Sequence, residues 1–257
     1  MTRDWAVVTG ASSGIGKAFA AVFAKNGINL VLTARDGARL ASLAIEFERD
    51  YGIKTVIYAG DLSTSRGIKG LVDAVQESKI RVKYLVNNAG FGLYGDFVGT
   101  PWMVEKSMIE LNIAAVTYLT KVFAELMKER GQGHILNVAS TAAFFSGPKM
   151  AVYYATKAYV LHFSEAVNQE LKGSGVTVTA YCPGPTATNF ASVAQAGETK
   201  LFTRNLPTAD AVAGYGFKAM QAGRAVAIYG WRNKLAILLA RFIPRSLLVR
   251  IIARINR

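Results

Sequence analysis

The sequence predicts an α/β fold, a single doubly wound domain built on a parallel, seven-stranded sheet flanked by helices. Three observations carry this expectation. Seven short, β-branched apolar runs recur along the 257 residues without polar alternation, as strands covered on both faces do. Longer segments that repeat apolar residues at helical spacing separate them. The first run passes straight into a glycine-rich turn and a helical segment, the strand-to-helix handover from which right-handed crossovers are made.

Taken in order, strand Trp5–Thr9 leads to helix Lys17–Asn26, strand Asn29–Thr33 to helix Ala38–Tyr51, and strand Thr55–Ala59 to helix Ile68–Lys79. Strand Tyr84–Asn87 comes before helix Thr117–Arg130, and strand His134–Val138 before helix Thr156–Lys172. Strands Val176–Tyr181 and Ala225–Tyr229 complete the set. No internal repeat or low-complexity linker interrupts the chain, so residues 1–257 read as one domain.

Composition narrows the class. Half of the residues are apolar, enough for a sizeable core. The single cysteine, Cys182, excludes an internal disulfide framework and suits a reducing compartment. The opening MTRDWAVVTG lacks the apolar stretch of a signal peptide. The charge-free stretch Ser174–Gly197 is broken by prolines and glycines, unlike a membrane span. A cytoplasmic protein is expected. The net charge of +13 is uneven: after Asp210 there are nine basic residues and no acidic one. That asymmetry points to a local surface role rather than to nucleic-acid binding, for which no reader motif is present.

The turn VVTGASSGIGKAFA places Gly10, Gly14 and Gly16 where backbone must bend tightly and approach a pyrophosphate at a helix N-terminus. It is not a P-loop, because Ala11 and Ala18 stand where a glycine and a magnesium-binding hydroxyl belong. With TGASSGIG at 9–16, Asp61-Leu62, NNAG at 87–90, Asn112, Ser140, Tyr153-x-x-x-Lys157 and Pro183-Gly184 in order, the chain resembles the short-chain dehydrogenase/reductase family. The likeness covers nearly the whole chain. It implies a Rossmann-type domain, a nicotinamide cofactor, and a homodimer or homotetramer. The residues it places at the cofactor are Gly10, Ser12, Ser13, Gly14, Ile15, Gly16, Arg35, Asp61, Leu62, Asn88, Ala89 and Gly90. Tyr153, Lys157, Pro183, Gly184, Thr186 and Thr188 complete that set.

NADP(H) is favoured over NAD(H). By resemblance the acid that would hold a ribose 2′-hydroxyl belongs at Ala34, where it is missing, and Arg35 follows directly. Lys17 adds positive charge nearby. Asp36 could serve the ribose by raw counting, or could cap the helix that begins near Gly37.

Reducing a carbonyl requires a proton for the developing alkoxide. Tyr153 and Lys157, four apart, share a helix face, and an ammonium nearby would favour the phenolate. The resemblance makes Tyr153 the acid, gives Lys157 the nicotinamide ribose, Ser140 the substrate oxygen, and Asn112 a water that relays protons to the lysine. Tyr154, whose residue four further on is Ala158, is expected to face packing or a subunit partner. No His/Cys cluster suggests a metal, and neither His134 nor His162 has support as a catalytic residue. Residues 190–206 read as a substrate lid. Phe91, Tyr94 and Phe97 either line a mouth for an apolar carbonyl or pack internally.

The basic segment 231–257 ends in a helix that starts near Pro244, with Leu247, Leu248, Ile251, Ile252 and Ile255 on one face. Arg250, Arg254 and Arg257 lie opposite. It reads either as a membrane-surface element or as packing across a subunit interface. The leading functional expectation is an NADP(H)-dependent carbonyl/alcohol oxidoreductase. A non-catalytic NADP-binding scaffold and a membrane-surface reductase of lipid carbonyls are the alternatives.

Overall fold

The computed structural model describes residues 3–197, 199 and 206–256. Its elements run β1 (Trp5–Thr9), α1 (Gly14–Lys25), β2 (Asn29–Ala34), α2 (Gly37–Tyr51), β3 (Thr55–Ala59), α3 (Ser65–Glu77), β4 (Val82–Asn87), α4 (Trp102–Ile109) and α5 (Val116–Lys128). There follow β5 (Gly133–Val138), α6 (Ala151–Glu170), β6 (Val176–Cys182), α7 (Phe190–Val193), α8 (Ala209–Gln221), β7 (Val226–Ile228), α9 (Trp231–Ala240) and α10 (Arg245–Ile255). The seven strands form one sheet in the order β3-β2-β1-β4-β5-β6-β7, and every neighbouring pair is parallel.

The unbroken apolar runs now have their reason. Successive residues of a strand point to opposite faces, and both faces are covered. Ala6, Val8, Leu30 and Leu32 pack with Phe19, Phe23 and Phe47 on one side. Val7 and Val31, between them in sequence, pack with Leu71, Leu119 and Phe123 on the other. The strand order reverses between β1 and β4, and ligands of such sheets sit outside the carboxyl ends of the strands at that switch point. Beneath it, a buried polar chain ties strands to helices: Asn87 Nδ2 donates to Asn137 Oδ1 at 2.9 Å and to Thr120 Oγ1 at 3.1 Å, and Asn137 Nδ2 donates to Ser164 Oγ at 3.0 Å.

Three elements differ from expectation. Helix α6 begins at Ala151, five residues before the expected Thr156. Its N-cap, Met150, makes no side-chain cap bond, so no capping residue announced the start. Both Tyr153 and Tyr154 therefore lie inside the helix. Helices α4 and α5 join through a π-helical turn, Glu110–Ala115, which carries Asn112. Finally, α10 packs on its own chain: Ile252 is buried and Leu248 partly buried against the cluster that contains Met150, Tyr153 and Tyr154. Asn256, fully buried, accepts a hydrogen bond from the Tyr154 hydroxyl at 3.1 Å and donates to the Pro148 carbonyl at 2.8 Å. Tyr154 is thus anchored within the chain rather than turned toward a subunit partner. Pro244 does precede the first residue of α10; Arg257 lies outside the described residues. Among the described residues no helix is long and apolar enough to cross a membrane.

Candidate active site

The nucleotide end is built by two loops at the switch point. Gly10 and Gly14 have φ of +66° and +54°, a region that glycine enters without a Cβ penalty. A Cβ on Gly16 would stand 2.1 Å from the Gly10 carbonyl oxygen and 2.5 Å from Asn88 Nδ2, so only glycine lets the turn close here. The loops are tied together by Thr9, whose Oγ1 accepts from the Asn88 and Ala89 amides, both at 2.9 Å. Asn88 Nδ2 donates to the Thr9 carbonyl at 2.9 Å. The N-cap of α1, Ser13, makes no side-chain cap bond. The first amides of that helix therefore stay available for an anion.

At the end of β2, Asp36 accepts from the Arg39 amide at 3.0 Å and caps α2. Arg35 is exposed beside it. Asp61 accepts from the Ser63 amide at 2.9 Å and the Ser63 hydroxyl at 2.8 Å. These bonds, helped by the nearby Arg35 guanidinium, hold its carboxyl below the usual range.

The chemical end lies at the carboxyl end of β5. Ser140 leaves the strand there, and its Oγ accepts from the Ala142 amide at 3.1 Å. Tyr153 is only 9% exposed. Burial pushes its phenol pKa up, against the opposing pull of a hydrogen bond with Ser140. Lys157 is also buried, and its Nζ donates to the Val138 carbonyl at 2.8 Å. Burial pushes that ammonium down to about 8, with a small opposing contribution from Cys182. The ammonium sits 5.9 Å from the centre of the Tyr153 ring. Desolvation is the largest influence on the Tyr153 phenol, and it favours the protonated form.

Asn112 is fully buried. Its Nδ2 donates to the Phe91 carbonyl at 3.0 Å and to Thr156 Oγ1 at 3.1 Å, and its Oδ1 accepts from the Phe91 amide at 3.2 Å. A position beside the Gly90 α-carbon is 2.8 Å from Asn112 Oδ1 and 3.6 Å from Lys157 Nζ, so both groups face one small space.

A cleft of about 410 Å³ joins the two ends. Gly10, Ser12, Ser13, Gly14, Ile15, Arg35, Asp61, Leu62, Asn88, Ala89, Gly90, Ser140, Tyr153, Lys157, Pro183, Gly184, Thr186 and Thr188 all line it. Gly16 and Asn112 stand behind its wall. Thr186 donates to the Gly184 carbonyl at 2.9 Å, and the Thr188 side chain lies over Gly14. The end of the cleft beyond Tyr153 is walled by Phe91, Leu111, Met150, Tyr154, Phe190 and Val193. Of these, Leu111, Met150 and the cleft-lining role of Tyr154 were missed from sequence, as were the positioning residues Thr9 and Thr156. The strand-end threonine of TGASSGIG was the available signal for Thr9; the others carry none. The first part of the expected lid is docked rather than loose: Ala194 and Ala196 are buried, and the Ala194 carbonyl accepts from the Tyr94 amide at 2.9 Å. Residues 198 and 200–205 of that lid lie outside the described residues. His134 is far from this chemistry, stacked on Tyr84 at 5.5 Å, and among the described residues no group of three or more His, Cys, Asp or Glu could hold a metal.

A nicotinamide dinucleotide fits these residues on the cradle itself: the turn that a Cβ at Gly16 would block, and the free amides that open α1. A family model described as short chain dehydrogenase matches residues 4–199. The chain is 34% identical over 196 residues to the very-long-chain 3-oxoacyl-CoA reductase of Anas platyrhynchos, covering 74% of this chain and 62% of that protein. It is 34% identical over 183 residues to human 17-beta-hydroxysteroid dehydrogenase type 3, covering 70% and 58%. The chain thus spans only about three fifths of those relatives. Among solved structures, a short-chain dehydrogenase from Sphingobium yanoikuyae in complex with NADPH is 30% identical and superposes with a TM-score of 0.83, covering 93% and 94%. An enzyme of the same type from Burkholderia phymatum in complex with NAD is 26% identical with a TM-score of 0.84, covering 98% and 96%. With a family model matched over most of its length and a glycine cradle and Tyr153–Lys157 pair in one cleft, this chain belongs to the short-chain dehydrogenase/reductase family.

Proposed function

We propose that this protein is an NADP(H)-dependent oxidoreductase that interconverts an apolar carbonyl compound and its secondary alcohol. The observation that carries the reading is the placement of Ser140, Tyr153 and Lys157 around one cleft whose other end is the glycine cradle. When bound, the nicotinamide supplies or accepts the hydride at carbon. The protein's part is the proton at oxygen. Ser140 holds the carbonyl oxygen beside Tyr153, whose neutral phenol gives up its proton as negative charge builds there. The resulting phenolate is then reprotonated from the side of Lys157, where a water beside Gly90 would link Asn112 Oδ1 to the ammonium. An ammonium pushed to about 8 is a ready donor near neutral pH. In oxidation the same steps run backward.

Support for an apolar substrate comes from the wall of Phe91, Leu111, Met150 and Phe190, and from relatives named for oxoacyl and steroid substrates. Support for NADP(H) is the absence of an acid at Ala34, an exposed Arg35, and the engagement of Asp36 as a helix cap. Purified protein assayed with NADPH against bulky ketones and 3-oxoacyl thioesters tests the reading. Tyr153→Phe should lower kcat/KM about 10²- to 10⁴-fold while NADPH still binds. Retained turnover would remove Tyr153 from the chemistry. Arg35→Ala should weaken NADPH selectively, and a higher kcat/KM with NADH in the unaltered protein would reverse the cofactor assignment.

A further inference from the structure

Helix α9 carries its apolar side outward. Trp231, Leu235, Leu238 and Leu239 of α9, with Phe242 in the turn just past its end, recur at helical spacing and fall on one side. They are 69%, 46%, 51%, 53% and 80% exposed. The opposite side is the anchored one. Ile237 is 6% exposed there, and Asn233 Nδ2 donates to the Tyr229 carbonyl at 2.8 Å while lying against Gly184. An ordinary surface helix is the other way round, with its apolar stripe toward the core. Arg232 borders the stripe on one flank, and Lys234 and Arg241 border it on the other. Just beyond, α10 exposes Arg245, Arg250 and Arg254, while its own Leu248 and Ile252 are committed inward. From 231 to 256 there is no acidic residue.

We propose that α9, with the exposed cations of α9 and α10, is a docking face for the surface of an anionic lipid bilayer. A bilayer interface accepts both halves of this surface. The apolar side chains enter the boundary of the acyl chains, and the long basic side chains reach the headgroups. Ten residues span about 15 Å, so the helix lies on the membrane rather than crossing it. A second copy of the chain fits less well. A two-fold interface would set this cationic face against itself. A nucleic acid would satisfy the cations but leave the apolar stripe in water. Both helices pack on elements that line the cleft, α9 through Asn233 on Gly184 and α10 through Ile252 beside Tyr153 and Tyr154. Docking would therefore bring the cleft within about one helix diameter of the lipid. The proposal stands independently of the reaction proposed above.

The test is flotation of the full-length protein with vesicles of phosphatidylcholine alone or of equimolar phosphatidylcholine and phosphatidylserine. The protein should float with the mixed vesicles and stay behind with the neutral ones. A basic residue near an anionic surface contributes about fivefold in partitioning, so Arg241→Gln with Arg245→Gln should lower binding about 30-fold. Leu238→Ser with Phe242→Ser should lower it further. Tm is measured for both variants, whose substituted side chains are exposed and should leave it unchanged. Absence of flotation, equal binding to neutral vesicles, or mixed-vesicle binding unaffected by the arginine pair would each overturn the proposal. A dimer by light scattering that Leu238→Ser with Phe242→Ser dissociates, without flotation of the unaltered protein, would assign the face to a second copy instead.

Discussion

Lys157→Met separates the catalytic demand on this site from its effect on stability. The ammonium is buried, and its pKa falls from the ordinary 10.5 to about 8 because desolvation disfavours the charged form. At ~1.36 kcal/mol for each tenfold change in proton affinity, keeping this group charged costs the folded state roughly 3 kcal/mol. The sign follows from proton counts. Between pH 8 and 10.5 the unfolded chain holds the lysine proton and the folded chain has released it, so stability rises with pH across that window. Below pH 8 both states are protonated and the full cost is felt. Methionine has a similar reach and no charge. Its substitution also strands the Val138 carbonyl, which now accepts from Lys157 at 2.8 Å, but that loss does not vary with pH. Urea unfolding of both proteins without cofactor, at pH 7 and near pH 10.5, reads the difference. The variant's stability relative to the parent should fall by roughly 3 kcal/mol from the lower pH to the higher, while turnover is lost throughout. A stability gap that stays constant over this range would refute the claim that the lysine is held charged against its own desolvation.

Two further outcomes test the geometry. Gly16→Ala sets a methyl 2.1 Å from the Gly10 carbonyl oxygen, and relieving it must open the turn. Overpacking of this kind costs about 1–3 kcal/mol, so NADPH affinity, followed by fluorescence titration, should fall at least about fivefold; unchanged affinity would mean that the turn does not hold the dinucleotide. Asn256→Ala leaves the Tyr154 hydroxyl and the Pro148 carbonyl without partners. With about 1–3 kcal/mol for each stranded group, Tm should drop by roughly 5 °C or more, and KM for bulky substrates should rise because Tyr154 walls the cleft; an unchanged Tm would show that this anchor is not closed in solution.

The sequence by itself determined what depends on neighbours along the chain. Strands covered on both faces require continuous apolar runs, so the seven strands were legible to within a residue or two. The glycine turn was legible because backbone geometry at Gly10 and Gly14 admits few residues. Tyr153 and Lys157 were legible as a pair because residues four apart on a helix share a face. What only the tertiary structure decided depends on partners far away in sequence. The ammonium of Lys157 is committed to Val138, across 19 residues, and only burial in the folded chain pushes the lysine down and the tyrosine up. Asn112 sits in a π-helical turn, and its side chain bonds to Phe91 and Thr156. Tyr154, read as a bystander, walls the cleft and is held by Asn256, 102 residues away. The charge pattern drew attention to the last helix, yet α9 is the one whose stripe faces solvent. A helical spacing defines a face but not its direction. That direction is set by which side finds a partner, here the side of Ile237 and Asn233.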